Sequence, residues 1–375
     1  MSIGPNITPP LADALAADAL QFESSRGFWA ETWLHFRRRK LAMIALAYVL
    51  FMACVALFSP AIAGTKPIIC KYKGHLYFPA LGYFHRSWEN PIFQTDHFRG
   101  VYPAKLKESD AESWALWPLV YQDPYRRVRA DEWPDHPANP TRDKGHPSQL
   151  NLFGTTRAGV DVFAEMVHGT RTAMLVGFVS MGIAGAIGIT LGAFAGYFGG
   201  WADMLLSRLI EFVMCIPSLV LILALIAVLE HPTIWHLMAV LGLTSWTGIA
   251  RLMRGEFIRL READFVTAAR AVGVGWFGIM FRHIFRNGLA PVLVPITFGI
   301  ASAILIESAL SFLGFGAPPP NPSWGALLEA GRDNLQMWWL IVFPGLAIFF
   351  TVLAYNLIGE GLQEATDPRL RQPGN

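Results

Sequence analysis

The residues with the most chemical potential lie between Arg254 and Pro291. They read Arg254-Gly-Glu-Phe-Ile-Arg-Leu-Arg-Glu-Ala-Asp-Phe-Val-Thr-Ala-Ala-Arg-Ala-Val-Gly-Val-Gly-Trp276, then Phe281-Arg-His-Ile-Phe-Arg-Asn-Gly-Leu-Ala-Pro291. Asp264 can cap a short helix through Thr267, Ala268, Ala269, Arg270 and Ala271, which Gly273 can end in the left-handed region. A second short helix is expected from Trp276 to Phe285. Small side chains at Ala268, Ala269 and Ala271 admit the backbone of another protein, and the neighbouring arginines can meet its carboxylates. The chemistry on offer is therefore docking through a helix pair. An ordinary surface helix pair is the alternative that the residue types leave open.

Other chemistries lack their residues. A P-loop needs Gly-Lys followed by Ser or Thr, and the chain has no Gly-Lys dipeptide. It has neither a His-Glu-x-x-His helix nor a Gly-x-Ser-x-Gly elbow. His75, His85, His97, His136 and His146 stand without zinc-ligand spacing, so solvated side chains are the expectation and no metal or cofactor is predicted in this chain. Cys54, Cys70 and Cys215 form no disulfide framework.

These residues sit in a chain of 375 residues that is 53% hydrophobic and 15% charged, with mean hydropathy +0.37. About a quarter of a soluble domain is charged, and apolar runs of this length are the bilayer signature. The net charge of +2 provides no field for nucleic acid. The first apolar run, 41–63, follows Arg37, Arg38, Arg39 and Lys40; its length and long leader mark an anchor rather than a cleaved signal. Further runs at about 172–198, 205–229, 234–249, 289–312 and 338–358 bring the expected spans to six. The fold class is accordingly an all-α integral membrane protein, with a leader at 1–40, an extracytoplasmic insertion at 64–152 and a core of five spans at 153–375. Basic residues concentrate in the leader and in 250–288, which places both termini and that loop in the cytoplasm. The insertion is rich in turn dipeptides such as Asp123-Pro124, Trp133-Pro134 and Asn139-Pro140, and reads as a small irregular domain in which His75 to Pro79 could form a strand.

Two acids lie inside apolar runs. Glu307 would cost several kcal/mol unpaired near mid-bilayer, so it is a candidate for lining or gating a path, with a structural hydrogen bond to a neighbouring span as the equal alternative. Glu211 is three residues from Arg208 and is expected to pair with it. Pro217 and Pro344 are expected to bend their helices, and Pro217 is a candidate gating point.

The sequence resembles the permease subunits of ABC importers, in the dipeptide, oligopeptide and nickel group and of its second permease type. The family's Glu-Ala-Ala, three residues, Gly pattern appears as Thr267-Ala268-Ala269-Arg270-Ala271-Val272-Gly273, with Thr267 replacing the Glu and Phe285-Arg286 replacing the Leu-Pro that closes the loop. Phe28 to Ala42 resembles its amphipathic leader, and Ser311-Phe-Leu-Gly314 with Pro322-Ser-Trp-Gly325 its fifth-span exit. Trp338 to Gly345, Asn356 to Leu362 and Asp367 to Leu370 resemble its final helix and tail. Gly154 to Gly169 is similar to its segment before the second span, with Thr156 and Val160 departing from the pattern, and the long insertion resembles a subgroup associated with peptide and microcin C uptake.

The resemblance implies an inner-membrane subunit that is not itself an enzyme. Asp264, Thr267, Ala268, Ala269, Arg270 and Gly273 would insert into a groove on the ATPase. It further implies a heterodimer with a second permease, two ATPases that bind ATP and Mg, and an extracytoplasmic binding protein that delivers a peptide-like solute. An ion-coupled secondary transporter using Glu307, or a membrane-anchored binding or assembly protein working through 65–150, are the rival readings.

Overall fold

The computed structural model describes residues 28–85, 88, 110–130, 132, 136–141, 144–316 and 321–366. The leader before Phe28, His97, Trp133-Pro134 and Asp367 to Leu370 lie outside them.

The amphipathic leader forms α1 (Phe28–Arg38), which turns at Arg39 into α2 (Lys40–Leu57). Phe36 folds back onto Ala42 and Ala365, and Arg39 pairs with Glu364, so α1 is fastened to the last helix of the chain. The first apolar run is shorter than the expected 41–63, because the helix breaks at Phe58 before the single turn Ser59–Ile62 that starts with Pro60 near its head.

The insertion is not wholly irregular and the chain is not strictly all-α. Antiparallel strands β1 (Ile69–Tyr72), β2 (His75–Tyr77) and β3 (Trp114–Leu116) form one sheet in the order β2-β1-β3, with Cys70 opposite both Tyr77 and Ala115. Lys73 and Gly74 both take positive φ, 47° and 79°, the backbone of a two-residue hairpin whose twist matches the strands.

The core contains α3 (Val162–Phe198), α4 (Gly200–Met214), α5 (Ser218–Ala227), α6 (Ile234–Arg261), α7 (Asp264–Ala271), α8 (Ala290–Phe312), α9 (Trp324–Arg332) and α10 (Trp339–Thr366). Among the described residues, α2, α3, α8 and α10 are each long and apolar enough to cross a membrane, and α4 with α5 would make a fifth span bent by 84°. Three boundaries differ from expectation. The second span begins at Val162 rather than about 172, because Asp161 caps it by accepting from the Ala164 amide at 2.8 Å. The run 205–229 is two helices, since Pro217 has no amide to continue the first. The run 234–249 continues through charged residues to Arg261, making α6 a helix of 28 residues rather than a span ending at a loop. Pro344, expected to bend its helix, lies within the unbroken α10.

α3 and α6 are held at close range by a glycine ladder. A Cβ at Gly188 would sit 2.7 Å from the Trp246 carbonyl oxygen, at Gly192 2.5 Å from that of Ala250, and at Gly196 2.6 Å from that of Arg254. Side chains of one hydrogen atom, four residues apart, thus let two backbones touch where the hydrophobic effect gives helices little reason to associate. The indole N–H groups of Trp324 and Trp339 fasten the opposite end of α3, donating to Met166 O at 3.1 Å and Thr155 O at 3.0 Å.

Candidate functional site

The segment that follows α6 is anchored before it is exposed. Arg254 grips Asp203 of α4 in a two-pronged pair through Nε and Nη2, with Nη2 to Oδ2 at 2.8 Å. Arg261 Nη1 donates to the carbonyls of Gly196 and Tyr197 at 3.4 and 3.3 Å, satisfying the last turn of α3. The ends of α3, α4 and α6 are therefore tied into one block.

From that block α7 projects with two unlike faces. Val266 and Ala269 are buried in the hydrophobic cluster that also holds Met253, Phe257 and Leu260 of α6, whereas Asp264, Phe265, Thr267, Ala268, Arg270 and Ala271 are exposed. Ala269, expected among the docking residues, instead faces inward, because the three-residue step from Val266 puts both on the same helical stripe. Asp264 is the first helical residue and not the cap; Ala263 occupies the cap position, and Asp264 contributes negative charge to the first turn. Gly273 takes φ +83°, and the amides of Gly273 and Val274 donate to the carbonyls of Arg270 and Ala269, both at 3.0 Å. This pair of bonds closes the helix on its left-handed residue, in the way the Gly273 position predicts.

The second short helix spans more than the expected Trp276 to Phe285. It begins as Trp276–Gly278, widens into a π turn over Ile279–Ile284 and ends as Phe285–Gly288. Ile279, Met280 and Ile284 are buried while Trp276, Phe277 and Phe281 are exposed. The exposed rings run in a row from Phe198: Phe198 to Trp276 5.5 Å, Trp276 to Phe277 5.7 Å, Phe277 to Phe281 4.6 Å. Asp264, Thr267, Ala268, Arg270 and Gly273 are exposed, as this row is, and both segments rest on buried apolar residues of one cluster, Val266 and Ala269 for the first and Ile279, Met280 and Ile284 for the second.

The other candidate residues lie elsewhere. Glu307 is 1% exposed, near the end of α8, and its carboxylate accepts hydroxyl hydrogens from Ser311 at 2.7 Å, Ser323 at 2.8 Å and Ser308 at 3.4 Å. Ser323 also caps α9, accepting from the Gly325 amide at 3.1 Å. The acid thus bridges two helices. Gly325 makes the approach possible, since a Cβ there would meet the Ser308 oxygen at 2.5 Å. Pro217 stands at the cap of α5, in the break of the bent pair. Arg208 and Glu211 pair at 2.7 Å on the exposed side of α4.

A polar network that the sequence did not disclose joins the insertion to the bundle. Thr65 donates its amide to Tyr83 Oη at 2.9 Å and its hydroxyl to Asp123 at 2.6 Å. Arg126 forks onto Glu132 at 2.5 and 2.9 Å. Burial, with the Asp123 charge beside it, raises the Tyr83 phenol above its ordinary range. A run of amides, Gln122, Asn139 and Asn151, then leads to Asp161 at the head of α3, with Asn151 Nδ2 to Asp161 Oδ2 at 2.7 Å.

Two family models match the chain. Residues 188–372 match the family described as binding-protein-dependent transport system inner membrane component, and residues 27–73 match the N-terminal TM domain of oligopeptide transport permease C. The chain belongs to this family of transport permeases. Among the permease's relatives, a protein named peptidoglycan transport system permease YejE, of Agrobacterium fabrum, is 33% identical over 361 residues, 90% of this chain and 92% of its own. A dipeptide transport system permease, DppC of Alkalihalophilus pseudofirmus, is 40% identical over 234 residues, 62% and 77% of the two chains. An inner membrane ABC transporter permease, YejE of Escherichia coli, is 32% identical over 339 residues, 90% and 96% of the two chains. The permease is thus a multi-pass translocation subunit of an ABC importer, a machine that also requires ATPase subunits and a binding protein. The family match at 188–372 contains both α7 and the exposed ring row.

Proposed function

We propose that this permease forms half of a translocation path for peptides or peptide-like solutes, driven by ATPases that engage α7 and the 276–288 segment. The observation that carries the reading is the two-faced α7: an exposed surface of Asp264, Thr267, Ala268 and Arg270 fixed to the ends of three long helices through Val266, Ala269, Arg254 and Arg261. A partner that moves this surface must move the block with it. ATP and Mg reside in two partner ATPases, whose open and closed forms must contact the surface differently for coupling to occur. The path is completed by a second permease subunit, with which this chain forms a heterodimer. An extracytoplasmic binding protein delivers the solute. The relatives' names, dipeptide and peptidoglycan transport, support the solute class.

In this reading six spans cross the inner membrane with both termini cytoplasmic, the bent α4 and α5 counting once and the outer part of α6 completing the set. Glu307 holds α8 to α9, and Pro217 sets the bend between α4 and α5. The testing experiment is uptake of radiolabelled trialanine into proteoliposomes containing the whole complex and its binding protein. Uptake that requires ATP and survives collapse of all ion gradients is the expected result; uptake driven by a gradient without ATP would replace the reading with a secondary transporter.

A further inference from the structure

A cavity of about 650 Å³ opens at the outer end of the bundle, within the range of small-molecule sites. Its walls include Ile226 from the end of α5, Phe315 after α8, Ala326 of α9 and Tyr125 from the insertion. Two carboxylates, Glu165 from the first turns of α3 and Glu329 of α9, line it, and among the described residues no Lys, Arg or His does. Neither carboxylate has a hydrogen bond or ion pair among the described residues. The Glu165 side chain is half-buried and lines the cavity. Asp161, one turn earlier on the same face, adds repulsion rather than relief. Two guanidinium groups on the neighbouring helices are engaged elsewhere: Arg171 with the carbonyls of Tyr83 and Phe84, and Arg332, three residues from Glu329 on α9, with Asp333 and the Phe312 carbonyl.

An unpartnered acid beside apolar walls is costly to keep charged, a cost met by a proton or, on a transport route, by an arriving cation that displaces it. A metal ion would want a third ligating side chain, and among the described residues no three His, Cys, Asp or Glu come together. An organic ammonium needs only carboxylates and an aromatic face. Tyr125, 41% exposed at the rim, supplies that face.

We propose that this cavity is a transient subsite for the primary ammonium group of the transported solute, held between Glu165 and Glu329 with its apolar part against Ile226 and Phe315. The inference rests on the peptide reading above, and names the charge that the permease itself selects after the binding protein lets go. The ammonium can be a chain terminus or a lysine side chain.

The test uses the whole complex with Cys54, Cys70 and Cys215 changed to Ser and a single reporter, Ala227→Cys, on the cavity wall. Labelling rates are compared for a cationic aminoethyl and an anionic sulfonatoethyl methanethiosulfonate. The cationic preference should fall about tenfold in Glu165→Gln with Glu329→Gln, the size of focusing expected for a one-signed cleft. Glu329→Gln alone, half-buried and away from the α3 cap, should give a smaller fall in the same direction if the double variant does not assemble. Trialanine amide should slow labelling if the terminal amine binds, and N-acetyl-lysine amide if a side-chain amine does, whereas N-acetyl-trialanine amide should not. An unchanged preference, or equal protection by the acetylated neutral peptide, would overturn the subsite. Trialanine uptake by the wild type with an unchanged preference would remove the subsite alone; a retained preference with no peptide uptake would remove the peptide reading and leave a cation site.

Discussion

Around α7 this permease turns its candidate docking side chains outward from a fixed base, while around α9 it turns polar side chains inward upon each other. Around α7, of the side chains of Asp264, Thr267, Ala268 and Arg270, Thr267 alone makes a hydrogen bond among the described residues, to the Ala263 carbonyl at 3.5 Å. Around α9, Glu307, Ser308, Ser311 and Ser323 are buried and spend their polar groups on one another. The difference teaches how to read a polar residue in a membrane protein. A buried acid with two short hydroxyl bonds, from Ser311 and Ser323, is occupied in holding helices together, whereas an exposed group on a rigid base is available to a partner and contributes little to folding.

That contrast can be broken in four places, in descending order of effect on stability. Gly192→Leu would drive a side chain into the Ala250 carbonyl 2.5 Å away, and should cost about 3 kcal/mol or more, read as loss of folded protein on heating in detergent. Glu307→Leu should cost about 1 to 3 kcal/mol by leaving the hydroxyls of Ser311 and Ser323 without their acceptor, and Glu307→Gln, which keeps a carbonyl oxygen, should cost less in the same melt. A larger loss for Gln in transport than in melting temperature would move Glu307 from the outer clamp to the path. Gly273→Ala should cost roughly 1 kcal/mol through its φ of +83° alone, since open space surrounds its missing Cβ. Ala268→Arg with Ala271→Arg, both exposed, should change stability by less than about 0.5 kcal/mol, while Ala269→Arg, at a buried position, should unfold the segment.

The sequence carried the end of α7 well. Gly273 followed from a local rule that tertiary structure respected, and it sits in the left-handed region where the Ala-rich helix had to stop. It carried the facing of α7 less well, because one alanine looks like another until the helix is placed on its neighbour; Val266, three residues before Ala269, was the available signal for which side is buried. The outer end was the least legible. The partners of Glu307 come from Ser323, sixteen residues away across a turn, and those of Thr65 from Asp123, fifty-eight residues away, and no local pattern announces either. The glycine ladder was legible and passed over: Gly188, Gly192 and Gly196 repeat every fourth residue, the spacing at which two helix backbones meet. The charged continuation of α6 to Arg261 was hidden by reading the end of apolarity as the end of the helix, although Arg254 and Arg261 are charged because they grip Asp203 and the carbonyls at the end of α3.

The most direct test of the account is quantitative co-purification of the ATPase with the tagged permease from its native membrane, comparing the intact chain with the Ala268→Arg, Ala271→Arg variant at matched melting temperature. The account predicts that the second permease is recovered equally with both, and that the ATPase is lost from the variant. Equal recovery of the ATPase with both chains would contradict the assignment of the exposed face of α7 as the surface through which ATP hydrolysis reaches the membrane.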